Sequence, residues 1–427
     1  MTSLPTGWAQ AALGDITETR LGKMLSAKAR VGTSPGPYLR NRNVQWGRID
    51  ISDLAEMDFA DDEIERFTVL PGDVLVCEGG EIGRTAIWKG QLPWVGYQKA
   101  LHRIRPARGV SSEYLAYFMR WFASVQAFEP YVTGSTIKHL PQEDLRLLPV
   151  PVPPEPEQRR IVAAIEEQFS RLEVAEASLC LANKRLALLK AAALRAGLEG
   201  DWPTRRLDEI ATTSSGGTPS RKRPDYFGGS IPWVKSGELR DGHVKATDET
   251  ISDLGLNESS AKVVERGTLL IALYGATVGK LGVLDIDAAT NQAVCAIMSH
   301  DAEMVPYLWL VLRQKRSDLI AAGQGGAQPN ISQAILRKVQ IPVPSRNEQR
   351  RVVAEVERQL SFIDAMRAWT NTAIRRSVSL RRAILERAFT GMLVQQDPSE
   401  EPASALLQRI AAMHPVTTKS RRRKVPA

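Results

Sequence analysis

The sequence holds only three cysteines and five histidines among its 427 residues, and neither type is clustered. Cys77, Cys180 and Cys295 lie far apart, form no Cys-x-x-Cys pair and have no histidine at metal-ligand spacing, which excludes a disulfide framework and a zinc site of the usual pattern. His102, His139, His243, His300 and His414 are scattered, with no HExxH pair and no visible nucleophile partner. Long apolar runs are missing too. The most apolar stretches, "TLLIALYGATVG" and "VPYLWLVL", fall short of the roughly 20 residues that a membrane-spanning helix needs. The opening "MTSLPTGWAQ" has neither the basic start nor the apolar core of a secretion signal, so the expectation is a cytoplasmic protein without a membrane span.

Catalytic motifs are equally scarce. "GATVGKL" looks like a phosphate loop but is one residue short and lacks the Ser or Thr after Lys280 that would bind magnesium. No proline-proline-aromatic motif of an amino-methyltransferase appears, and no glycine-rich loop follows a strand to hold a methyl donor. Pro224 and Asp225, followed by Glu238, Leu239 and Arg240, hint at a nuclease motif. The last position needs lysine, however, and the other half of the chain has no equivalent, so Asp225 reads as a turn residue. The expectation is a chain that catalyses nothing alone and binds neither cofactor nor metal.

What the sequence does contain is itself, twice. "PVPPEPEQRRIVAAIEEQF" at 151–169 returns as "PVPSRNEQRRVVAEVERQL" at 342–360, and the same offset aligns most of the chain. Trp8 in "WAQAALGDI" matches Trp202 in "WPTRRLDEI". The turn and apolar run "PGDVLVC" matches "RGTLLIA", where glycine supplies the turn and the apolar residues a buried strand. "GGEIGR" matches "YGATVGK", and Gln98 matches Gln292. A short helix follows in each half: "SSEYLAYFMRWF" has a serine cap and an early glutamate, and "VPYLWLVLRQKRSDLIAAG" has proline in its first turn and glycine at its end. Strands with turn signals around short helices predict an α+β globule of about 150 residues in each half.

After each globule the spacing predicts a long helix. Sevens counted from Ile161 give Gln168, Ala175, Ala182 and Leu189; sevens from Ile165 give Leu172, Leu179, Leu186 and Ala193. The second copy gives Val352, Gln359, Met366, Ala373 and Leu380 on one track and Val356, Ile363, Thr370, Ser377 and Ile384 on the other. These are heptad seams, and a helix from about 157 to 196 would be roughly 60 Å long at ~1.5 Å per residue. If the ends of a globule lie close together, the second helix must run back antiparallel beside the first. The predicted architecture is α+β: two similar domains joined by an antiparallel two-helix coiled coil with pseudo-two-fold symmetry. The predicted boundaries are 1–155 and 201–346 for the domains, 156–200 and 347–395 for the helices, and 396–427 for a basic, disordered tail that includes "KSRRRK".

Binding features are richer. With 56 Lys and Arg against 48 Asp and Glu, the net charge of +8 favours a polyanionic partner such as nucleic acid. "SSGGTPSRKRPDYFGGSIPWVKSGEL" carries Arg221, Lys222 and Arg223 close to Tyr226, Phe227 and Trp233, a mixture suited to phosphate positioning and base-edge contacts. In the first half, Lys23, Lys28, Arg30, Arg40, Asn41, Arg42 and Asn43 lie in two basic loops, and Arg-Asn-Arg-Asn is a candidate reader because arginine pairs with guanine and asparagine with adenine. Lys138, Ser220, Lys235 and Lys280 complete the set of candidate cations and hydroxyls.

Taken together, "YLRNRNVQWGRID", "LPGDVLVCEGGEIGRTAIW", "GSTIKHLPQEDL", "GGTPS" with "GGSIPWVKSGEL", and the doubled proline junction before "EQRR" resemble the specificity (S) subunits of type I restriction-modification systems, up to about residue 395. The resemblance implies two target recognition domains, each reading one half of a bipartite double-stranded DNA sequence, and spacer helices that dock two methyltransferase subunits. Those partners would carry S-adenosylmethionine and modify adenine, and restriction subunits would complete a nuclease-translocase. It also implies DNA-facing loops at Gly217, Thr218 and Pro219 and at Gly134, Ser135 and Thr136. The second copy of the latter, "GGAQPNIS", departs from the pattern and puts Gln328 and Asn330 at the corresponding candidate positions. The reading that competes with a DNA reader is a coiled-coil scaffold whose basic loops are incidental.

Overall fold

The computed structural model describes residues 4–26, 34–134, 136, 138–323 and 330–413. The chain divides into two compact units, one from Met1–Ser178 with Thr372–Ala427 and one from Leu179–Asn371.

In the first unit the "LPGD" turn is made by Gly72 at φ +92, and the Asp73 carboxylate accepts the Leu70 N–H at 2.7 Å. The chain then enters the strand Val74–Cys77, buried at every residue. It sits inside an antiparallel sheet of order Thr17–Leu21, Leu101–Pro106, Val74–Cys77, Thr85–Ile87. Alternation along the strands separates two cores. Val74, Val76 and Ile104 face a core shared with the helix Ser112–Ser124, while Leu75, Cys77 and Leu101 face one built on Phe59, Trp88 and Tyr97. That helix starts as expected, with Ser111 accepting the Tyr114 N–H.

The second unit repeats the plan. Its sheet runs Ala211–Ser215, Val294–Ser299, Leu269–Ala272, Leu281–Leu284, Gly242–Val244, with the last strand parallel to its neighbour. Leu269, Ile271, Cys295 and Ile297 face one core, and Leu270, Ala272, Val294 and Ala296 the other. The proline junctions are ribbon strands: Pro149–Val152 pairs with Ala9–Ala12, and Gln340–Pro342 with Thr204–Arg206. Proline is tolerated there because a two-stranded ribbon has open edges.

"EQRR" then fixes the start of each long helix. Gln158 is buried, accepts the Ser111 N–H at 2.9 Å and donates to the Gly109 carbonyl at 3.2 Å. Gln349 donates to the Pro344 carbonyl at 2.9 Å, and Ser345 and Glu348 bond each other's backbone N–H as a capping box. Glu157 is also buried; burial raises its carboxyl pKa, opposed by the hydrogen bond from the Trp8 indole at 3.0 Å.

The long helices span Glu155–Gly197 and Arg346–Phe389, and each contributes one end to each unit. In the first unit Ile161, Ile165 and Phe169 pack with Ile384, Leu385, Ala388 and Phe389; in the second, Leu194 packs with Val352, Val356 and Leu360. Early residues of one helix meet late residues of the other in both units, so the segments are antiparallel. The tracks through Ile165 and Val356 face inward as expected, including Leu172, Leu179, Leu186 and Ile363.

The companion tracks start inward at Ile161 and Val352 but slip by one residue further along the helices. Leu380, expected in the seam, is 51% exposed, and Leu189 and Met366 also face outward. Their places are taken by Glu176, Asn183 and Lys190 on the first helix and Arg367 and Arg381 on the second. Glu176 meets Ser377 and, at 3.0 Å, Arg381 in the first unit; in the second, Asn183 meets Thr370 at 2.5 Å and Lys190 meets Asp364 at 2.5 Å. Apolarity alone selects the wrong neighbour wherever a seam residue is polar and paired across the interface.

The expectation of disorder from residue 396 is also corrected. Gly391 reverses the chain at φ +73, and a helix forms over Ala403–Met413. Its Ala403, Leu406 and Ile410, at helical spacing, close the first unit's core, and Glu400 pairs with Arg160. Residues 414–427, including "KSRRRK", lie outside the described residues. Truncating buried Leu406 to alanine should cost about 2–5 kcal/mol and lower the thermal midpoint of the full chain. An unchanged midpoint would show that the helix is not part of this core.

Candidate nucleic-acid interface

The second unit presents its basic loop on a rigid base. At Gly216 a Cβ would lie 2.0 Å from the Thr290 carbonyl oxygen, and at Gly217 it would lie 2.3 Å from the Ala261 nitrogen, so only glycine allows this approach. The buried Trp233 indole donates to the Gly217 carbonyl at 3.1 Å, and Thr218 contacts Gln292. From this base Arg221 extends over Phe227 and Trp233, its guanidinium carbon 4.4 and 5.3 Å from the ring centroids. Arg221 donates to Glu249 at 2.6 Å, and Lys235 reaches the other oxygen of the same carboxylate at 2.8 Å. Those two bonds hold the Glu249 pKa down at about 2.

Beside it, Ser220 accepts the Arg223 N–H through its carbonyl at 3.0 Å. Arg223 lies over Tyr226 and bonds both oxygens of Asp225, which raises the arginine's pKa. Asp225 thus lies in the middle of the short turn Pro224–Tyr226, while Glu238 is engaged elsewhere, accepting the Lys235 and Asp248 N–H groups. Lys222 is exposed and makes no ion pair among the described residues. Lys280 pairs with Asp241 at 2.8 Å. Burial raises the Asp241 pKa, but bonds from Lys280, the Leu281 N–H and Arg316 outweigh it and leave it lowered. Asn330 is exposed, and Gln328 lies outside the described residues.

The first unit is built differently. Lys23, expected to face DNA, is mostly buried: it donates to the Asp58 carbonyl at 2.6 Å, pairs with Glu63 and lies 5.1 Å from the Phe59 ring centroid. Asn43 is a second correction. It is 2% exposed, donates to the Asp50 and Asp53 carbonyls at 2.9 Å and accepts the Arg40 N–H, closing the turn Asn41–Asn43. Both hydrogens of its amide are used and the side chain is buried, so it does not face a base. Asn41 donates to the Gly79 carbonyl at 3.1 Å, and Arg40 and Arg42 share Asp53 at 3.2 Å. Of the four residues Arg42 reaches furthest, with its side chain 69% exposed. Lys28, Arg30 and Ser135 lie outside the described residues. Gly134, at φ +98, and Thr136 lie between Thr133 and His139, whose backbones bond each other at 2.8 Å both ways, and Lys138 pairs with Glu129 at 2.9 Å.

Sequence reasoning missed two groups. Arg20, Arg66 and Lys99 line an open cleft of about 680 Å³ around Lys23; Gln142 at its edge accepts the Leu21 N–H at 3.1 Å. The acidic partners Asp53, Glu129 and Glu249 were also missed, because the pairing crosses 9 to 28 residues and leaves no local pattern. Among the described residues, no group of three or more His, Cys, Asp or Glu side chains could hold a metal ion, and no helix is long and apolar enough to cross a membrane.

Comparison with known proteins finds one family and several relatives. A family model described as "Type I restriction modification DNA specificity domain" matches twice, at residues 5–177 and 199–368. The EcoR124I/EcoR124II type I restriction enzyme specificity subunit of Escherichia coli is 26% identical over 217 residues, 48% of this chain and 54% of that one, so the match spans about half of that relative's length. The StySPI specificity subunit of Salmonella potsdam is 22% identical over 97% of both chains. The HsdS subunit of Thermoanaerobacter tengcongensis shares the fold, with a TM-score of 0.61 and 21% identity, over 91% of this chain and 98% of that one.

Below the loop at Gly134, His102 is wholly buried and donates from Nε2 to the Leu140 carbonyl at 2.8 Å. Burial lowers its pKa to about 4, against the opposing hydrogen bond. A histidine near 6.5 when unfolded takes up its proton first in the unfolded chain. His102 therefore makes stability fall as pH drops from about 6.5 to about 4, with no further loss below. His102→Gln should flatten that part of the stability-versus-pH curve measured by denaturant titration; an unchanged slope would contradict the assignment.

Proposed function

The chain belongs to the type I restriction modification DNA specificity family, and from that premise we propose that it is the subunit that chooses the DNA sequence for a type I restriction-modification complex. The observation that carries this is the duplication itself: one family domain matched twice, at residues 5–177 and 199–368. Residues 1–155 and 201–346 act as target recognition domains, each reading one half of a bipartite duplex site. Residues 156–200 and 347–395 act as spacer helices that set the distance between the half-sites. The recognition subunit is itself non-catalytic and works in the cytoplasm.

Chemistry comes from partners. Two methyltransferase subunits carrying S-adenosylmethionine modify adenine, and restriction subunits join where the system also cleaves. The outward faces of the helices suit such docking: in the second unit Phe362, Trp369 and Leu188 are 67%, 62% and 72% exposed, and Phe362 and Trp369 stand one heptad apart on one face. Phe362→Glu with Trp369→Glu should abolish co-purification of methyltransferase subunits while leaving the thermal midpoint of the isolated chain unchanged. Undiminished co-purification would remove this face from the assembly.

The spacing role has its own test. Lengthening both helices by one heptad adds roughly 10 Å, about three base pairs of duplex. The non-specific spacer in the methylated site should lengthen accordingly while both half-sites keep their sequence. A change in the half-sites with the spacer constant would overturn the proposal.

A further inference from the structure

Arg221, Phe227, Trp233, Lys235 and Glu249 form one connected array in the second unit. Phe227 and Trp233 lie on one strand, Phe227–Val234, with their rings 6.0 Å apart and tilted by 68°. Trp233 is nearly fully buried and is bound at both ends: its indole donates to the Gly217 carbonyl, and its backbone N–H donates to the Glu249 carbonyl at 3.1 Å. Thr247 donates from its hydroxyl to the same Glu249 carbonyl at 2.7 Å. The backbone that carries the Glu249 carboxylate is thus tied to the aromatic platform on which Arg221 lies.

The consequence for Arg221 is geometric. An arginine side chain on a surface loop samples many rotamers, and fixing it on binding costs side-chain entropy. Here two aromatic rings and a carboxylate hold it, while 56% of its side chain stays exposed. The Glu249 side chain is only 33% exposed and spans two cations. A carboxylate facing a DNA surface is unfavourable for affinity, because it repels phosphate and cancels a nearby charge. Its retention at the base of the loop makes sense for orientation rather than for attraction.

We propose that Arg221 is a specificity-determining residue of the second recognition domain and that Glu249 is its positioning residue, holding the guanidinium on Phe227 and Trp233 in the orientation that reads a base edge, with Lys235 as the second cation of the pair. The base class that suits a fixed, planar, two-pronged donor is guanine, through its O6 and N7 acceptors. This rests on the reading of the chain as a DNA specificity subunit. It assigns to one carboxylate opposite effects on two quantities: removing it lowers discrimination and raises non-specific affinity.

The experiment is selection from a random duplex library by the full chain in complex with its methyltransferase subunits, comparing wild type with Glu249→Gln, Glu249→Asp and Arg221→Lys, together with salt titration of binding to a non-cognate duplex. Glu249→Gln should relax one half-site by at least tenfold in discrimination, leave the other half-site and the spacer unchanged, and raise non-cognate affinity with a salt slope steeper by about one. Glu249→Asp should restore part of the discrimination, and Arg221→Lys should relax the same half-site without raising non-cognate affinity. The intact half-site monitors folding in every variant. If Glu249→Gln raises cognate and non-cognate binding equally, Glu249 is a simple competitor and the inference fails; it also fails if Arg221→Lys leaves both half-sites intact. Should the wild-type complex select no bipartite sequence at all, the functional reading fails, and the two failures are distinguishable.

Discussion

The ring of Phe389 closes the first unit, and much of the architecture depends on its burial. It stacks on Trp121 at 5.2 Å with the planes 23° apart and meets Tyr114 and Phe118 at 5.2 and 5.9 Å. These three partners lie on the helix Ser112–Ser124, whereas Phe389 ends a helix that begins at Arg346 in the other unit. Burying one such ring contributes roughly 2–3 kcal/mol, and Ile384, Leu385 and Ala388 add to it. The second unit makes the reciprocal demand, because its core takes Leu194 from the end of the first long helix. Neither unit has a complete core without a helix end delivered from a distant part of the chain. The two long helices are therefore part of each unit's fold and not separable linkers.

Electrostatics gives the candidate interface its second constraint. A chain with a net charge of +8 would be expected to leave its cations free for phosphate, yet most of the described candidates are paired: Arg40 and Arg42 with Asp53, Lys138 with Glu129, Arg221 and Lys235 with Glu249, Arg223 with Asp225, Lys280 with Asp241. Exposed pairs of this kind add little stability. Their effect is on orientation and on the balance between general attraction and selective contact, since each carboxylate offsets a charge that would otherwise bind any duplex. The two units share a scaffold but arrange these pairs on different loops.

Much of this was legible in the sequence, for physical reasons that differ by element. The strands Val74–Cys77 and Leu269–Ala272 were visible because a glycine turn precedes a run of buried residues, and the long helices because the tracks through Ile165 and Val356 keep a heptad spacing. The phase of the companion tracks was hidden, since Glu176, Asn183 and Lys190 are polar and face inward only because partners wait across the interface. Asn43 looked like a base reader because its role as a turn closer depends on carbonyls at Asp50 and Asp53 that the local pattern does not mark. The helix Ala403–Met413 was hidden inside a stretch classed by its basic end, although Ala403, Leu406 and Ile410 carry a helical apolar stripe. Pairings between distant residues, Glu249 with Arg221 above all, have no one-dimensional signature.

The proposed function requires one chain to carry two readers for one split DNA site. The most direct measurement is genome-wide mapping of methylated adenines in cells that carry the chain together with the proposed methyltransferase subunits, compared with cells lacking only this chain. The expected result is a single bipartite motif, two short defined halves around a spacer of constant length, that disappears when the chain is removed. Methylation that persists without the chain, or that follows one uninterrupted motif, would contradict it.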